Sequence, residues 1–171
     1  MKILIIDDER SIRNSLKEIL ADEGYEVDVA ENGATGCAMV DKEKYSVIFC
    51  DIKMPEMDGM EVLGRLTEMG IDSAVVMISG HGTVETAVEA LKKGAFDFIV
   101  KPLDLNRLLL TTKHAVDHKS LVQETKVLRK KINSRNQMIG ESVAIEQVRT
   151  IIEKVAPTEA RVLITGANGT G

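Results

Sequence analysis

Five polar residues that could handle phosphate chemistry stand directly after apolar, strand-like segments of the sequence. They are Asp7, Asp8, Asp51, Ser79 and Lys101. If these segments form one parallel sheet, their carboxyl ends meet at one edge and the five side chains converge. Three carboxylates in one cleft repel one another, and a hard divalent cation with oxygen ligands relieves that repulsion, with Mg²⁺ the first candidate. The hydroxyl and the ammonium are groups that a tetrahedral anion needs.

This combination suits the transfer of a phosphoryl group to a carboxylate. Asp51 is the candidate nucleophile, which would become an aspartyl phosphate. Lys101 and Ser79 are the candidate ligands of the phosphoryl oxygens, and the metal ion would offset charge in the transition state. Each residue also has a plainer explanation, since aspartates often cap helices, serines occupy turns and lysines are often solvated. The combination favours the phosphoryl site.

The segments that must position these residues alternate between strand and helix patterns. Apolar, strand-like runs cover residues 3–6, 25–30, 47–50, 74–78 and 96–100. Amphipathic helical patterns lie between them, including one face formed by Val84, Val88 and Leu91. The alternation predicts an α/β fold in which a five-stranded, parallel, doubly wound sheet is covered by helices on both faces.

A long helical pattern follows, from Asp104 to about Ile132. Its first part carries apolar residues that can cover the sheet, namely Leu105, Leu108, Leu109, Ala115 and Val116. Its second part spaces apolar residues as in the seam of a short coiled coil, at Leu121, Thr125, Leu128 and Ile132. We expect residues 119–136 to form a linker helix that makes a homodimer, with a solvated connector helix as the alternative.

The last segment, 137–171, has the pattern of the beginning of another domain. A helical face is followed by a predicted strand at 161–165 and by a glycine-rich turn. Gly166, Gly169, Thr170 and Gly171 resemble the opening of a phosphate-binding loop. The loop pattern also requires a lysine and a hydroxyl residue that would follow Gly171, so we expect an incomplete nucleotide site in this chain.

Composition points to a cytoplasmic protein without a nucleic-acid surface in this part of the chain. The 171 residues are 44% hydrophobic and 29% charged, with a net charge of -5. No apolar run approaches the roughly 20 residues that a membrane-spanning helix needs. The chain has two cysteines, Cys37 and Cys50, whose apolar surroundings predict buried free thiols.

The motifs resemble those of the receiver domain of bacterial two-component response regulators. The resemblance covers residues 1–118 and rests on Asp7-Asp8-Glu9, on Asp51 with the Met54–Gly59 segment, on Ser79-Gly80-His81-Gly82, on Gly94-Ala95-Phe96-Asp97-Phe98 and on Lys101-Pro102. It implies a flavodoxin-like, CheY-like fold. Residues 137–171 resemble the start of the AAA+ ATPase domain of sigma-54-dependent activators of the NtrC-like subfamily.

The receiver resemblance implies roles for individual residues. Asp51 would accept phosphate from a phosphohistidine on a sensor histidine kinase. Asp8, Asp51 and the backbone carbonyl of Lys53 would bind Mg²⁺ directly, with Asp7 acting through water. Lys101 would hold the phosphoryl group, Ser79 would move toward it, Phe98 would be an aromatic rotamer switch, and the bond from Lys101 to Pro102 would be cis.

We therefore expect a phosphoacceptor signalling domain rather than a turnover enzyme. The full-length protein would hydrolyse ATP and act on DNA and on the sigma-54 form of RNA polymerase, and no membrane is expected among its partners. Two alternatives remain at this point. One is a nucleotide-binding module acting through Gly166–Gly171, and the other is a phosphohydrolase with an aspartate nucleophile, which usually has a second acid where this chain has Lys53.

Overall fold

The computed structural model describes residues 1–80, 82–118, 140, 142–159, 161–163 and 165–166. The chain divides into two compact units, Met1–Lys126 and Val127–Gly171. The described residues contain no helix that is long and apolar enough to span a membrane.

The first unit is built on a parallel sheet of five strands in the order β2-β1-β3-β4-β5. The strands are β1 (Lys2–Ile6), β2 (Glu26–Ala30), β3 (Val47–Asp51), β4 (Ala74–Ser79) and β5 (Asp97–Val100). Every paired neighbour is parallel. The predicted fold class is confirmed, and each strand begins and ends within one residue of the predicted bounds.

The described residues of the first unit form five helices that connect or follow the strands. They are α1 (Arg10–Asp22), α2 (Gly33–Lys42), α3 (Gly59–Glu68), α4 (Val84–Lys92) and α5, which begins at Leu105 and includes residues 105–118 of the described chain. Side chains of Asn32, Asp58 and Thr83 cap the N-termini of α2, α3 and α4. Gly24, Gly70 and Gly94, which follow α1, α3 and α4, have positive φ angles, as is common for a glycine at the end of a helix.

Two apolar layers cover the two faces of the sheet. On one face, Leu4, Ile6 and Ile48 pack with apolar residues of α2, α3 and α4. On the other face, Ile5 and Phe49 pack with apolar residues of α1 and α5. All five residues of the central strand β3 are buried. The sheet is therefore a rigid support for any side chain placed at the end of a strand.

Some predicted apolar positions face outward. Leu105 is 49% exposed, whereas Leu108 is 1% exposed and packs on the sheet face that carries Ile5 and Phe49. On α4, Val84, Val88 and Leu91 are exposed and only Ala90 is buried. Because α4 lies against the short edge strand β5, only a narrow strip of the helix contacts the sheet.

The second unit contains one helix among its described residues, α6 (Val143–Val155), capped by Ser142. The predicted strand at 161–165 is wrong for residues 161–163 and 165, which have no regular secondary structure. A strand requires a neighbour to complete its hydrogen bonds, and the described part of this unit has none. The predicted coiled-coil seam, at Leu121, Thr125, Leu128 and Ile132, lies outside the described residues.

A pair of glycine substitutions in α3 tests how tightly the start of this helix packs against the end of β3. A Cβ atom on Gly59 would lie 2.1 Å from the carbonyl oxygen of Asp51 and 2.8 Å from Cα of Ile52, whereas one on Gly64 would meet nothing within 4 Å. We expect Gly59→Ala to lower the free energy of unfolding by about 1–3 kcal/mol. The matched Gly64→Ala should raise it by about 0.5–1 kcal/mol, because alanine is the better helix former.

Urea denaturation of the two variants and the wild type measures both changes. Equal effects of the two substitutions would contradict the close approach of Gly59 to Asp51.

Candidate functional site

The strand ends bring Asp7, Asp51, Ser79 and Lys101 to one edge of the sheet. Asp7 follows β1 and Lys101 follows β5, while Asp51 and Ser79 are the last residues of β3 and β4. The register pairs Asp51 with Ile78 and Ser79 with Val100, so these chain ends lie side by side. The backbone N–H of Lys101 donates to the carbonyl of Ser79 at 2.8 Å. Of the five residues predicted to converge, these four do, whereas the side chain of the fifth, Asp8, is exposed.

The ammonium of Lys101 joins the acidic side chains. Its Nζ lies 2.8 Å from Oδ1 of Asp51, 3.1 Å from Oδ2 of Asp7 and 3.2 Å from Oε1 of Glu9. The side chains of Asp7 and Asp51 are 0% and 4% exposed, whereas that of Glu9 is 55% exposed. Two buried carboxylates thus share one cation, which offsets much of the cost of removing them from water.

Burial and pairing act in opposite directions on the ionisation of this pair. Burial raises the pKa of Asp51 above its ordinary value, against the lowering effect of the hydrogen bond from Lys101. For Lys101, burial alone would lower the pKa, but hydrogen bonds with Asp51 and Asp7 raise it above its ordinary value. Lys101 therefore stays charged at neutral pH and attracts any anion that enters the site.

The loop between β1 and α1 is held by hydrogen bonds between side chains and backbone groups. The N–H of Glu9 donates to Oδ1 of Asp7 at 2.8 Å. Nη1 of Arg13 donates to the carbonyl oxygens of Asp7 and Asp8, at 2.7 and 2.8 Å. The side chain of Asp8 is exposed. Sequence reasoning assigned no role to Glu9 or Arg13, although the position of Glu9 directly after the two aspartates was a usable signal.

The loop between β3 and α3 carries Asp51 and Lys53. The backbone N–H of Ile52 donates to the carbonyl of Ile78, and that of Gly59 donates to the carbonyl of Ile52. The backbone of Lys53 also hydrogen-bonds the Asp51 carboxylate, and its own side chain is exposed. This loop therefore places the backbone of Lys53 beside the Asp51 carboxylate.

The end of β4 and its following loop contact the edge strand β5. Ser79 is 3% exposed. A Cβ atom on Gly82 would lie 2.7 Å from the ring of Phe98, so the glycine allows the loop to rest directly on that ring. Phe98 is half-buried, and the bond from Lys101 to Pro102 is cis as predicted.

The donor chemistry at this edge fits a hard metal ion. Asp7 and Asp51 offer carboxylate oxygens, the ligands that Mg²⁺ prefers, and burial of Asp51 favours a nearby positive charge. Within the described residues, no group of three acidic, histidine or cysteine side chains is spaced to hold a metal ion in this structure. Here the ammonium of Lys101 is the cation that joins Asp7 and Asp51.

The predicted nucleotide loop belongs to the second unit and lies mostly outside the described residues. Gly166 has no regular secondary structure, while Gly169, Thr170 and Gly171 lie outside the described residues. Among the predicted thiols, Cys50 is buried, Cys37 is half-buried, and both are free.

Comparison with known proteins points to one family. A family model of the response regulator receiver domain matches residues 3–113. The nitrogen assimilation regulatory protein NtrX of Azorhizobium caulinodans is 39% identical over 171 residues, which cover 99% of this chain and 37% of that protein. The chain thus spans little more than a third of the curated relatives' length.

Solved structures agree with this match. The crystal structure of NtrX from Brucella abortus in complex with ADP has a TM-score of 0.71 at 38% identity, covering 94% of this chain and 36% of that one. The solution structure of the beryllofluoride-activated NtrC4 receiver domain dimer has a TM-score of 0.66 at 42% identity, covering 69% of this chain and 98% of that one.

Removing the charge of Lys101 tests the shared ion pair. Lys101→Met keeps the side-chain stem but leaves Asp7 and Asp51 without their common cation, so we expect the free energy of unfolding at neutral pH to fall by about 3–5 kcal/mol. The pKa of Asp51 should rise further, because burial remains while the lowering effect of Lys101 is lost. A carboxyl group with a raised pKa destabilises the fold when ionised, so the loss should shrink as the pH falls toward about 4.

Urea denaturation across this pH range measures the effect, and the double variant with Asp51→Asn should regain part of the stability at neutral pH. A loss that is independent of pH would contradict the ion pair.

Proposed function

This chain belongs to the response regulator receiver family, and on that premise we propose that it is the phosphorylated switch of an NtrC-like transcription activator. A receiver domain is a signalling domain rather than a turnover enzyme. We propose that Asp51 is the phosphoacceptor and that a sensor histidine kinase is the donor. The observation that supports this most strongly is the buried Asp51 carboxylate at a strand end, 2.8 Å from the ammonium of Lys101.

In the proposed reaction, an oxygen of Asp51 forms a bond to the phosphorus atom of a phosphohistidine. The bond between phosphorus and the imidazole nitrogen breaks, and the nitrogen keeps the electron pair. Lys101 holds the incoming phosphoryl oxygens by charge and hydrogen bonding, and the hydroxyl of Ser79 takes another oxygen. The backbone contacts of the loop from Ile52 to Gly59 keep Asp51 in place during the transfer.

We propose that Mg²⁺ is bound at the same edge by Asp8, Asp51 and the backbone carbonyl of Lys53, with Asp7 acting through water. When bound, the ion would offset negative charge on the transferring phosphoryl group. Arg13 contributes indirectly, because it holds the carbonyl groups of Asp7 and Asp8 and so fixes the loop that carries both acids.

We propose that phosphorylation causes a conformational change that starts at Ser79, moves the loop after β4 and then affects Phe98. Phosphorylation adds roughly 1.5–2 negative charges beside Lys101, which draws the Ser79 hydroxyl toward the new group. Gly82 follows in the same loop and rests on the Phe98 ring, so a shift of this loop changes the space available to the ring. Phe98 is thereby the proposed rotamer switch.

Phosphorylation should depend on Asp51 and on the metal. Acetyl phosphate with Mg²⁺ should add one phosphate to the wild type, whereas Asp51→Asn should take none, because the amide is not a nucleophile of comparable strength. Asp58→Asn is the matched control. Asp58 caps α3 at the end of the loop that follows Asp51, and asparagine can also cap a helix. Intact-protein mass spectrometry measures the added phosphate.

A metal chelator should also stop the labelling of the wild type while circular dichroism shows an unchanged fold. Labelling that persists in Asp51→Asn, or in chelator, would contradict the proposed acceptor or the proposed metal role.

We further propose that the receiver controls an ATPase through its linker. Residues 119–136 would form the dimerising helix, and residues 137–171 would begin an AAA+ domain that binds ATP in the full-length protein. Full-length partners would be the sigma-54 form of RNA polymerase and DNA. The similarity to NtrX over 99% of this chain supports this arrangement.

The linker proposal is tested by one seam substitution. Leu128→Asp places a charge in the predicted apolar seam, so it should shift the chain from dimer toward monomer and raise the dissociation constant at least about tenfold. Lys130→Asp introduces the same side chain at a position outside the predicted seam, and it should change the dissociation constant much less than Leu128→Asp does. Sedimentation equilibrium measures both, and a wild-type chain that stays monomeric at high concentration would contradict the dimer.

A further inference from the structure

The ammonium of Lys101 has as many carboxylate partners as it has N–H donors. An ammonium offers three donors and no acceptor. Asp7, Glu9 and Asp51 each place an oxygen within 3.2 Å of Nζ. If Lys101 is to hold a phosphoryl oxygen, one of these carboxylates must leave.

We propose that Glu9 is the carboxylate that leaves, and that its charge limits how fast Asp51 is phosphorylated by anionic phosphodonors. This inference rests on the proposed function of Asp51. It makes Glu9 a residue that determines rate and donor preference at the site, acting through Lys101 rather than on the reacting atoms.

Burial decides which of the three contacts can be broken. Asp7 is fully buried, and its Oδ1 also accepts the backbone N–H of Glu9. Asp51 is the acceptor itself. The Glu9 side chain is 55% exposed, so it can turn into water and be solvated there at little cost. The Lys101–Glu9 contact is therefore the one that is easily exchanged for a phosphoryl oxygen.

Because it is negatively charged, Glu9 is both an ion-pair partner of Lys101 and a competitor of the phosphodonor for Lys101. A phosphodonor that approaches Asp51 brings negative charge close to Lys101, where Glu9 already lies 3.2 Å from Nζ. The glutamate occupies one donor and repels the incoming anion. Removing its charge should therefore favour entry of the donor, most strongly for the donor with the greatest negative charge.

The position of Glu9 allows a clean substitution. It is the N-cap residue of α1, but its side chain makes no capping hydrogen bond. Glu9→Gln therefore removes the charge without removing a cap, and we expect the fold to be retained.

The experiment compares the rates at which acetyl phosphate and phosphoramidate phosphorylate the wild type and Glu9→Gln, with Mg²⁺ at saturation. With acetyl phosphate, an oxygen of Asp51 bonds to phosphorus, the bond from phosphorus to the acetate oxygen breaks, and acetate leaves with the electron pair. With phosphoramidate, the phosphorus–nitrogen bond breaks instead, and the nitrogen leaves with the electron pair as ammonia. At neutral pH acetyl phosphate is a dianion and phosphoramidate a monoanion. We expect Glu9→Gln to react roughly two- to fivefold faster with acetyl phosphate, with a smaller gain for phosphoramidate.

Two controls separate this role from general effects of charge or structure. Glu18→Gln makes the same change at an exposed position on the same helix and should leave both rates unchanged. Raising the salt concentration should reduce the advantage of Glu9→Gln, because screening weakens the repulsion that the substitution removes.

The outcomes distinguish the two proposals. If the wild type is phosphorylated on Asp51 but Glu9→Gln is no faster, or gains equally with both donors, the role of Glu9 is overturned while the function of Asp51 stands. A wild type that takes no phosphate, or is labelled elsewhere, overturns the proposed function and this role of Glu9 with it.

Discussion

The contact between the Lys101 ammonium and the buried carboxylates of Asp7 and Asp51 is the interaction on which the site depends. Buried carboxylates are costly unless a cation and hydrogen bonds compensate them. The strand order places β4 between β3 and β5, so Lys101 must reach past Ser79 to meet Asp51. A long, flexible side chain with a compact charge can do this. The sheet therefore positions the cation, and the cation makes it possible for the acids to be buried.

The same geometry connects the site to the surface of the domain. Phe98 belongs to the edge strand β5 and Lys101 follows it directly, and both Ser79 and Gly82 lie against that strand. Under the proposed function, a charge added at Asp51 would act first on Lys101, whose Nζ lies 2.8 Å from that carboxylate. The exposed apolar face of α4 begins just beyond this loop, at Val84. Under the proposed function, a change at the buried Asp51 carboxylate would therefore reach an exposed surface through few contacts.

Much of this arrangement could be predicted from the sequence, because it follows from local patterns. The strands were recognisable as apolar runs, and parallel strands carry their carboxyl ends to one edge, which brings Asp7, Asp51 and Lys101 together. The contacts of Glu9 and Arg13 could not be predicted, since they depend on the path of one loop and on where a long side chain reaches. The exposure of Val84 and Leu105 could not be predicted either. Helical periodicity identifies the apolar face of a helix, but it does not show how much of that face the sheet is wide enough to cover.

The most direct test of the account is a crystal structure of the protein with Mg²⁺ and beryllofluoride, which mimics a phosphoryl group. The account predicts that the beryllium atom is bonded to a carboxylate oxygen of Asp51, that Nζ of Lys101 contacts one of its fluorine atoms, and that Lys101 keeps its contact with a buried acid. Beryllofluoride bound at another residue, or bound to Asp51 with Lys101 out of contact, would contradict it.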